Sequence, residues 1–517
     1  VWGAALPRGL FSGDEGIKLA QIQGLDDSGF RDGALLYRGQ ASDPTNVLHP
    51  LKYPGFTYEV DGRLYGTYTL VYPVLATPIY RVAGFAWVWL LSLAGLALML
   101  IATARIAVRV TGDQRIATSA VLGVGFATSA SLYGCTIFEH TLAGGCLLSA
   151  IAILLGPVTA RRAFAIGALF AASIALRTEL CAFGPSLALL CVWRYRKQWA
   201  AYAWTTAGTV VIVAGFIGFN LALSHAWHPT LTASRDAAAG SLAERACHLV
   251  AASLGGWGYA AVWVTCGLAI AALVVQRWAR AVTAIIVIAT LLWTVMTVCG
   301  IASMGVRPLV GLFTTAPIVV LALGATSRTR VLAAATVVFI AIVVLLPKHG
   351  AIGGLELGPR YLIPVVPLLV IVALDAARSR VRIACAAMLA IAGAAALVAN
   401  ARAQSKIRAL GAHVVEVAEQ ANADVVISDV WWVSQLAIPA QADRIVLVSN
   451  SGDRDVWRDL YDRDKRRVLV LRGNPPNPGP RMVFQLQACP TCLDEPRLDP
   501  HVYELVQLGM RVVRRTP

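Results

Sequence analysis

Charged residues are scarce in this chain. They make up 14% of its 517 residues, against roughly 25% in a globular domain, which argues against a water-soluble protein. The deficit lies in long uncharged apolar runs, each near the ~20 residues needed to cross hydrocarbon. Hydrophobic residues reach 57% and the mean hydropathy is +0.65. No Walker-type loop or GxGxxG stands between a strand and a helix, so no nucleotide site is indicated. His140, His225, His228 and His349 fit no standard metal spacing, and hydrogen bonding outweighs ligation for His140. Internal repeats are not evident and no signal peptide is recognisable. Ten cysteines make no disulfide scaffold in a chain this long. Cys146, Cys191, Cys266, Cys299 and Cys385 fall in or beside apolar runs, where Cys acts as a small hydrophobe.

What is present is a series of membrane segments. Apolar spans are expected at roughly 83–104, 116–134, 141–157, 163–176, 179–193, 199–223, 258–276, 281–300, 308–326, 331–347, 361–377 and 383–400, about twelve in all. The pair at 163–193 is short and broken by Arg177 and Glu179, which suits half-spans or a re-entrant hairpin. The net charge of +15 does not point to nucleic acid, because the basic residues cluster between spans. The clusters are Arg105/Arg109/Arg115, Arg161/Arg162, Arg194/Arg196/Lys197, Arg277/Arg280, Arg328/Arg330 and Arg378/Arg380/Arg382. They fall on every second connection, as the positive-inside rule requires of cytoplasmic loops. The other connections then face outward, to the periplasm or cell exterior of a bacterial inner membrane.

Three regions follow. Residues 1–81 form a first outward loop, residues 82–400 the membrane domain, and residues 401–517 an outward tail. The chain has no complete apolar span before Asp14, so a first span preceding Val1 is expected. In the tail, β-branched runs at 424–429, 444–449 and 467–471 alternate with stretches of helical character at 407–420 and 453–462. That pattern suggests a small α/β unit with a mostly parallel sheet. Cys489 and Cys492 are spaced like a thioredoxin-type or zinc pair, but on the outward side a local disulfide is favoured.

Residues with chemical potential gather on the outward connections. Ser12-Gly13-Asp14-Glu15-Gly16 opens the first loop. Its two carboxylates suit acid–base work beside a membrane, or simply the first turn of a helix over 17–25. Phe138-Glu139-His140 lies on the next outward connection, Arg177 and Glu179 on the following one, and Lys348-His349 and Arg360-Tyr361 on the last before the tail. Ionisable groups at span ends carry a functional prior, because burying them is costly unless they are paired. The aromatic segment from Tyr53 to Tyr80 suits either a sugar cleft or an interfacial belt.

These stretches resemble the C-type glycosyltransferase superfamily. The nearest branch holds the protein O-mannosyltransferases and lipid A aminoarabinose transferases. The resemblance rests on Ser-Gly-Asp-Glu-Gly, on Tyr65-Gly-Thr-Tyr-Thr-Leu-Val-Tyr-Pro73, on Ile137-Phe-Glu-His-Thr-Leu-Ala143, and on Gly353 through Pro364. It covers about residues 10–400. It implies an inverting enzyme that moves a hexosyl or pentosyl group from a polyprenyl-phosphate carrier to an acceptor on the outer face. Asp14 would be the base for the acceptor hydroxyl, with Glu15 and Glu139 the further acids. Arg360, Lys348 and Arg177 would hold the carrier phosphate, as guanidinium forks suit phosphate oxygens. His140, Tyr65, Tyr68 and Tyr361 would line the substrate. Asp14 and Glu139 would share any divalent metal (magnesium or manganese), and no other cofactor is implied. The partners implied are the lipid-linked sugar, membrane lipid and an acceptor, and not nucleic acid. The rivals are a flippase or transporter, and a polymerase or ligase of lipid-linked glycans. Transporters set ionisable groups at mid-membrane on repeated broken helices, a pattern absent here.

Overall fold

The computed structural model describes residues 9–52, 56–196, 198–233, 312–345, 360–377, 380–428, 431–448, 467–473, 485–488 and 502–506. The protein is mostly helical. Helix α1 (Gly13–Asp27) begins where Ser12 is extended and its hydroxyl accepts from the Glu15 amide at 3.4 Å. Asp14 and Glu15 then occupy the first turn, where free N–H groups favour anions. This helix is not a surface helix, for every residue from Glu15 to Leu25 is buried. Its polar residues must therefore find partners inside the protein. A hairpin follows, β1 (Thr57–Val60) with β2 (Arg63–Gly66). Asp61 and Gly62 both take positive φ at its tip (49° and 73°), as a two-residue turn demands.

Next come α2 (Val71–Ala83), α3 (Leu90–Thr111), α4 (Gln114–Phe126), α5 (His140–Leu154), α6 (Ala160–Leu176), α7 (Gly184–Tyr195) and α8 (Trp199–Ser224). Later in the chain lie α9 (Arg330–Leu345), α10 (Val366–Ala376) and α11 (Arg380–Gln420). Helices α6 and α8 touch backbone to backbone. A Cβ on Gly167 would strike the Thr205 carbonyl, and one on Gly208 the Phe164 carbonyl. Small residues allow such close approach in membrane bundles, where packing rather than the hydrophobic effect drives association.

Among the described residues, three helices are long and apolar enough to cross a membrane: Phe85–Thr111, Trp199–Ser224 and Ala386–Gln420. Several expected spans are shorter. The run expected at 116–134 stops at Phe126, where a break at Ala127–Ser129 is followed by a single turn, Ala130–Tyr133. Its 13 residues rise only about 20 Å, short of the ~30 Å of hydrocarbon. The run at 308–326 is split, because Pro317 opens a separate 3-10 turn, Pro317–Gly324. The runs at 258–276 and 281–300 lie outside the described residues, as do Cys489 and Cys492. At the other extreme, the span at 383–400 and the helix at 407–420 are one continuous helix of 41 residues.

The described basic clusters meet at one end of the bundle and stop helix ends there. Arg328 donates to the Thr111 carbonyl (3.0 Å), Arg194 to that of Gly156 (2.9 Å), and Arg109 to that of Ala152. Helix α5 runs from this end to His140 at the other, about 22 Å away along its axis.

The last strands are β3 (Val425–Ser428), β4 (Ile445–Val448), β5 (Val468–Gly473), β6 (Gln485–Ala488) and β7 (Val502–Val506). They form one sheet in the order β4-β3-β5-β7-β6, parallel except for the β6–β7 pair. Val414, Val417 and Ala418 near the end of α11 pack with Val426, Val446, Leu469 and Leu471 of the sheet. The sheet also rests on the first loop, where the Val448 amide donates to the Leu48 carbonyl at 2.8 Å.

Candidate active site

Opposite the basic end, charged side chains from four distant stretches close into a ring. Asp14 lies in the first turn of α1, and its carboxylate stands 2.5 Å from the Arg360 guanidinium. Arg360 starts the 3-10 turn Arg360–Val365 that leads into α10, and it also donates to the Tyr361 hydroxyl at 3.1 Å. The Tyr361 ring lies 5.1 Å from the Arg360 guanidinium and 5.5 Å from that of Arg177. Arg177 ends α6 in an extended conformation, which turns its side chain off the helix axis. It donates to Glu139 at 2.9 Å and to Glu179 at 3.1 Å, and lies 2.7 Å from His140 Nε2. Lys18 completes the ring with its ammonium 3.1 Å from Glu139 Oε2 and 3.4 Å above the Tyr68 ring. Tyr68 in turn hydrogen-bonds Asp14.

Three acids and three cations thus share one buried site. Burial works against ionising Asp14, but the Arg360 and Lys18 charges outweigh it, and the carboxyl is held below its ordinary range. Burial pulls the Lys18 ammonium down, and the charges of Glu139 and Asp14 offset only part of that. Burial and the neighbouring Asp14 charge push the Tyr68 phenol well above its ordinary value, so it stays a donor.

The expected residues separate clearly. Asp14, Glu139, Arg177, Arg360, His140, Tyr68 and Tyr361 come together. Tyr65 does not join them: its ring stacks on Tyr58 at 5.6 Å and meets His225 edge-on at 5.6 Å. Lys348 lies outside the described residues. Glu15 leaves the ring altogether, because consecutive helical residues point about 100° apart. Its carboxylate is wholly buried and accepts from the amides of Phe11 (2.6 Å) and Ile137 (2.9 Å), and from Arg408 (2.9 Å). The sequence reading missed Lys18 and Arg408. Lys18 follows Asp14 by one helical turn, a spacing that could have signalled it. Arg408 is 393 residues from Glu15, and no local pattern joins them.

The two carboxylates expected to share a divalent metal each have a cationic partner here. Lys18 and Arg177 already neutralise Glu139, and Arg360 holds Asp14. No group of three or more His, Cys, Asp or Glu gathers among the described residues.

The architecture is the GT-C fold. No family model and no curated protein matches the chain. The apo structure of ArnT from Cupriavidus metallidurans superposes over 90% of this chain and 86% of its own, with a TM-score of 0.51 at 14% identity. The same protein bound to undecaprenyl phosphate gives 0.48 over 91% of this chain and 87% of its own, again at 14% identity. The oligosaccharyltransferase AglB from Archaeoglobus fulgidus, in complex with an inhibitory peptide and a dolichol-phosphate, gives 0.44 at 13% identity, over 86% of this chain and 61% of its own. At such identities the likeness is one of fold.

Proposed function

We propose that the chain is an integral-membrane inverting glycosyltransferase that moves a sugar from a polyprenyl-phosphate carrier to an acceptor at the charged end of the bundle. The observation that carries this reading is the Asp14–Arg360 contact at 2.5 Å. It sets a base beside the cation best suited to a departing phosphate. In the reaction the acceptor hydroxyl oxygen bonds to the anomeric carbon while the bond from that carbon to the phosphate oxygen breaks. The proton passes to Asp14, and the lipid phosphate leaves with its charge on Arg360. Without donor, Arg360 depresses the basicity of Asp14. A carrier phosphate that takes up the guanidinium restores it, so donor binding arms the base. Glu139, held by Lys18 and Arg177, orients the acceptor.

In this reading the basic end faces the cytoplasm, the chain crosses the membrane about twelve times, and residues 1–81 and 401–517 share the outer side of a bacterial inner membrane. The tail forms the α/β domain there. The test is purified protein in proteoliposomes with radiolabelled polyprenyl-phosphate sugars, hexosyl and pentosyl, and envelope acceptors on the outside. Label in the acceptor, with free polyprenyl phosphate released, supports the reading. Label that crosses the bilayer still attached to its lipid identifies a flippase and overturns it.

A further inference from the structure

We propose that Glu15 and Arg408 are positioning residues that fix the distance between Asp14 and Glu139. Those two acids matter because of the glycosyltransferase reading, on which the proposal rests for its functional meaning. The Glu15 carboxylate takes one hydrogen bond from the Phe11 amide, which leads into the turn carrying Asp14. It takes another from the Ile137 amide, two residues before Glu139. One side chain therefore joins the backbone of one acid to the backbone of the other. Arg408 spans the same two stretches from the far side. It donates to the Gly9 carbonyl at 3.1 Å and the Cys135 carbonyl at 3.0 Å, and pairs with Glu15 at 2.9 Å.

Both partners are almost wholly buried, at 0% and 2% exposure. A buried ion pair gains little stability over apolar side chains of similar volume, but its hydrogen bonds have fixed directions and set geometry. Here those directions converge on the two loops that present the acids. Neither Glu15 nor Arg408 belongs to the ring of charges, so their influence on chemistry passes through the backbone.

Cys135 offers a native reporter. Its thiol is buried at 2% exposure, and its carbonyl is held by Arg408. The experiment uses full-length protein in nanodiscs and compares wild type with Arg408→Met, Arg408→Lys and the Glu15→Gln/Arg408→Met pair. Labelling of Cys135 by a small methanethiosulfonate, mapped by mass spectrometry, reports whether the 135–137 loop is held. Turnover is followed alongside affinity for undecaprenyl phosphate. Misplacing reacting groups by an ångström costs about 10²-fold, so Arg408→Met should lose about that much kcat, leave undecaprenyl phosphate affinity unchanged, and expose Cys135. Arg408→Lys should recover part of both. Wild-type protection of Cys135 in Arg408→Met, or a loss of turnover that only follows lost affinity, overturns the proposal. If Arg408→Met does not fold, the double variant removes both charges. Folding restored with slow turnover supports positioning, and folding restored with wild-type turnover overturns it. If wild type neither binds undecaprenyl phosphate nor transfers sugar, the glycosyltransferase reading fails, and Cys135 labelling still decides whether the pair sets the loop.

Discussion

Asp14 and Glu15 are neighbours in the chain and occupy different worlds. The Asp14 side chain is 15% exposed and pairs with the Arg360 guanidinium in the ring of charges. The Glu15 side chain is 0% exposed and is saturated by two amides and a guanidinium. Both are carboxylates in the first turn of one helix, yet one joins the ring of charges and the other is sealed in the core. An acidic pair in a motif therefore need not act as a pair. The helix rotation between them sends one side chain toward solvent-accessible space and the other into the core.

Substitutions can break or sharpen that contrast. The largest effect should come from Asp14→Asn, which keeps the shape and removes the base: turnover should fall about 10²- to 10⁴-fold, with chemical stability and donor affinity not reduced. Wild-type turnover would make Asp14 as structural as its neighbour. Glu15→Gln leaves Arg408 buried without its counter-charge, so unfolding measured in detergent should be easier by about 3–5 kcal/mol; a change under 1 kcal/mol would erase the distinction. Arg360→Ala should weaken undecaprenyl phosphate binding by about 1.5–3 kcal/mol, roughly 10- to 150-fold by calorimetry.

Acid should test how dry the first loop is. His49 is buried, its Nδ1 accepts from the Leu51 amide, and burial together with Lys52 pushes it down to about 3. Below its ordinary value of 6.5 the unfolded chain takes a proton that the folded chain refuses, so stability should fall as pH drops from about 6.5 toward 3. Between pH 7 and pH 5 the loss should be about 2 kcal/mol, and His49→Asn should flatten that slope. The smallest effect belongs to Arg38→Ala. Its pair with Asp27 is 42% and 50% exposed, and such pairs contribute about 1 kcal/mol or less.

Much of this was legible in the sequence because it depended on local signals. Asp14, Glu139, Arg177 and Arg360 lie at the ends of apolar runs, and ends of helices at one side of a bundle must meet. The β-branched runs at 424–429, 444–449 and 467–471 correspond to β3, β4 and β5, which pair in parallel. Arg408 was hidden because a single Arg in a polar stretch looks solvated, and only folding brings it to Glu15. Tyr65 misled for a related reason: alternation along β2 sets its ring against Tyr58, while Tyr68, three residues on, reaches Asp14. Helix lengths were overestimated wherever an apolar run contained a break, since hydropathy does not register a turn made of Ala, Thr and Ser.

The 41-residue α11 extends about 60 Å, twice the thickness of the hydrocarbon, and it contains no proline to kink it. It works as a mast. Its foot is packed among the membrane helices, its tip carries the sheet, and Arg408 is lashed to the first loop between them. One unbroken helix thus links the packing of the sheet to the Glu15 contact. Cutting the chain at residue 401 would fell the mast below that lashing, taking away part of the frame that holds the ring of charges along with the sheet.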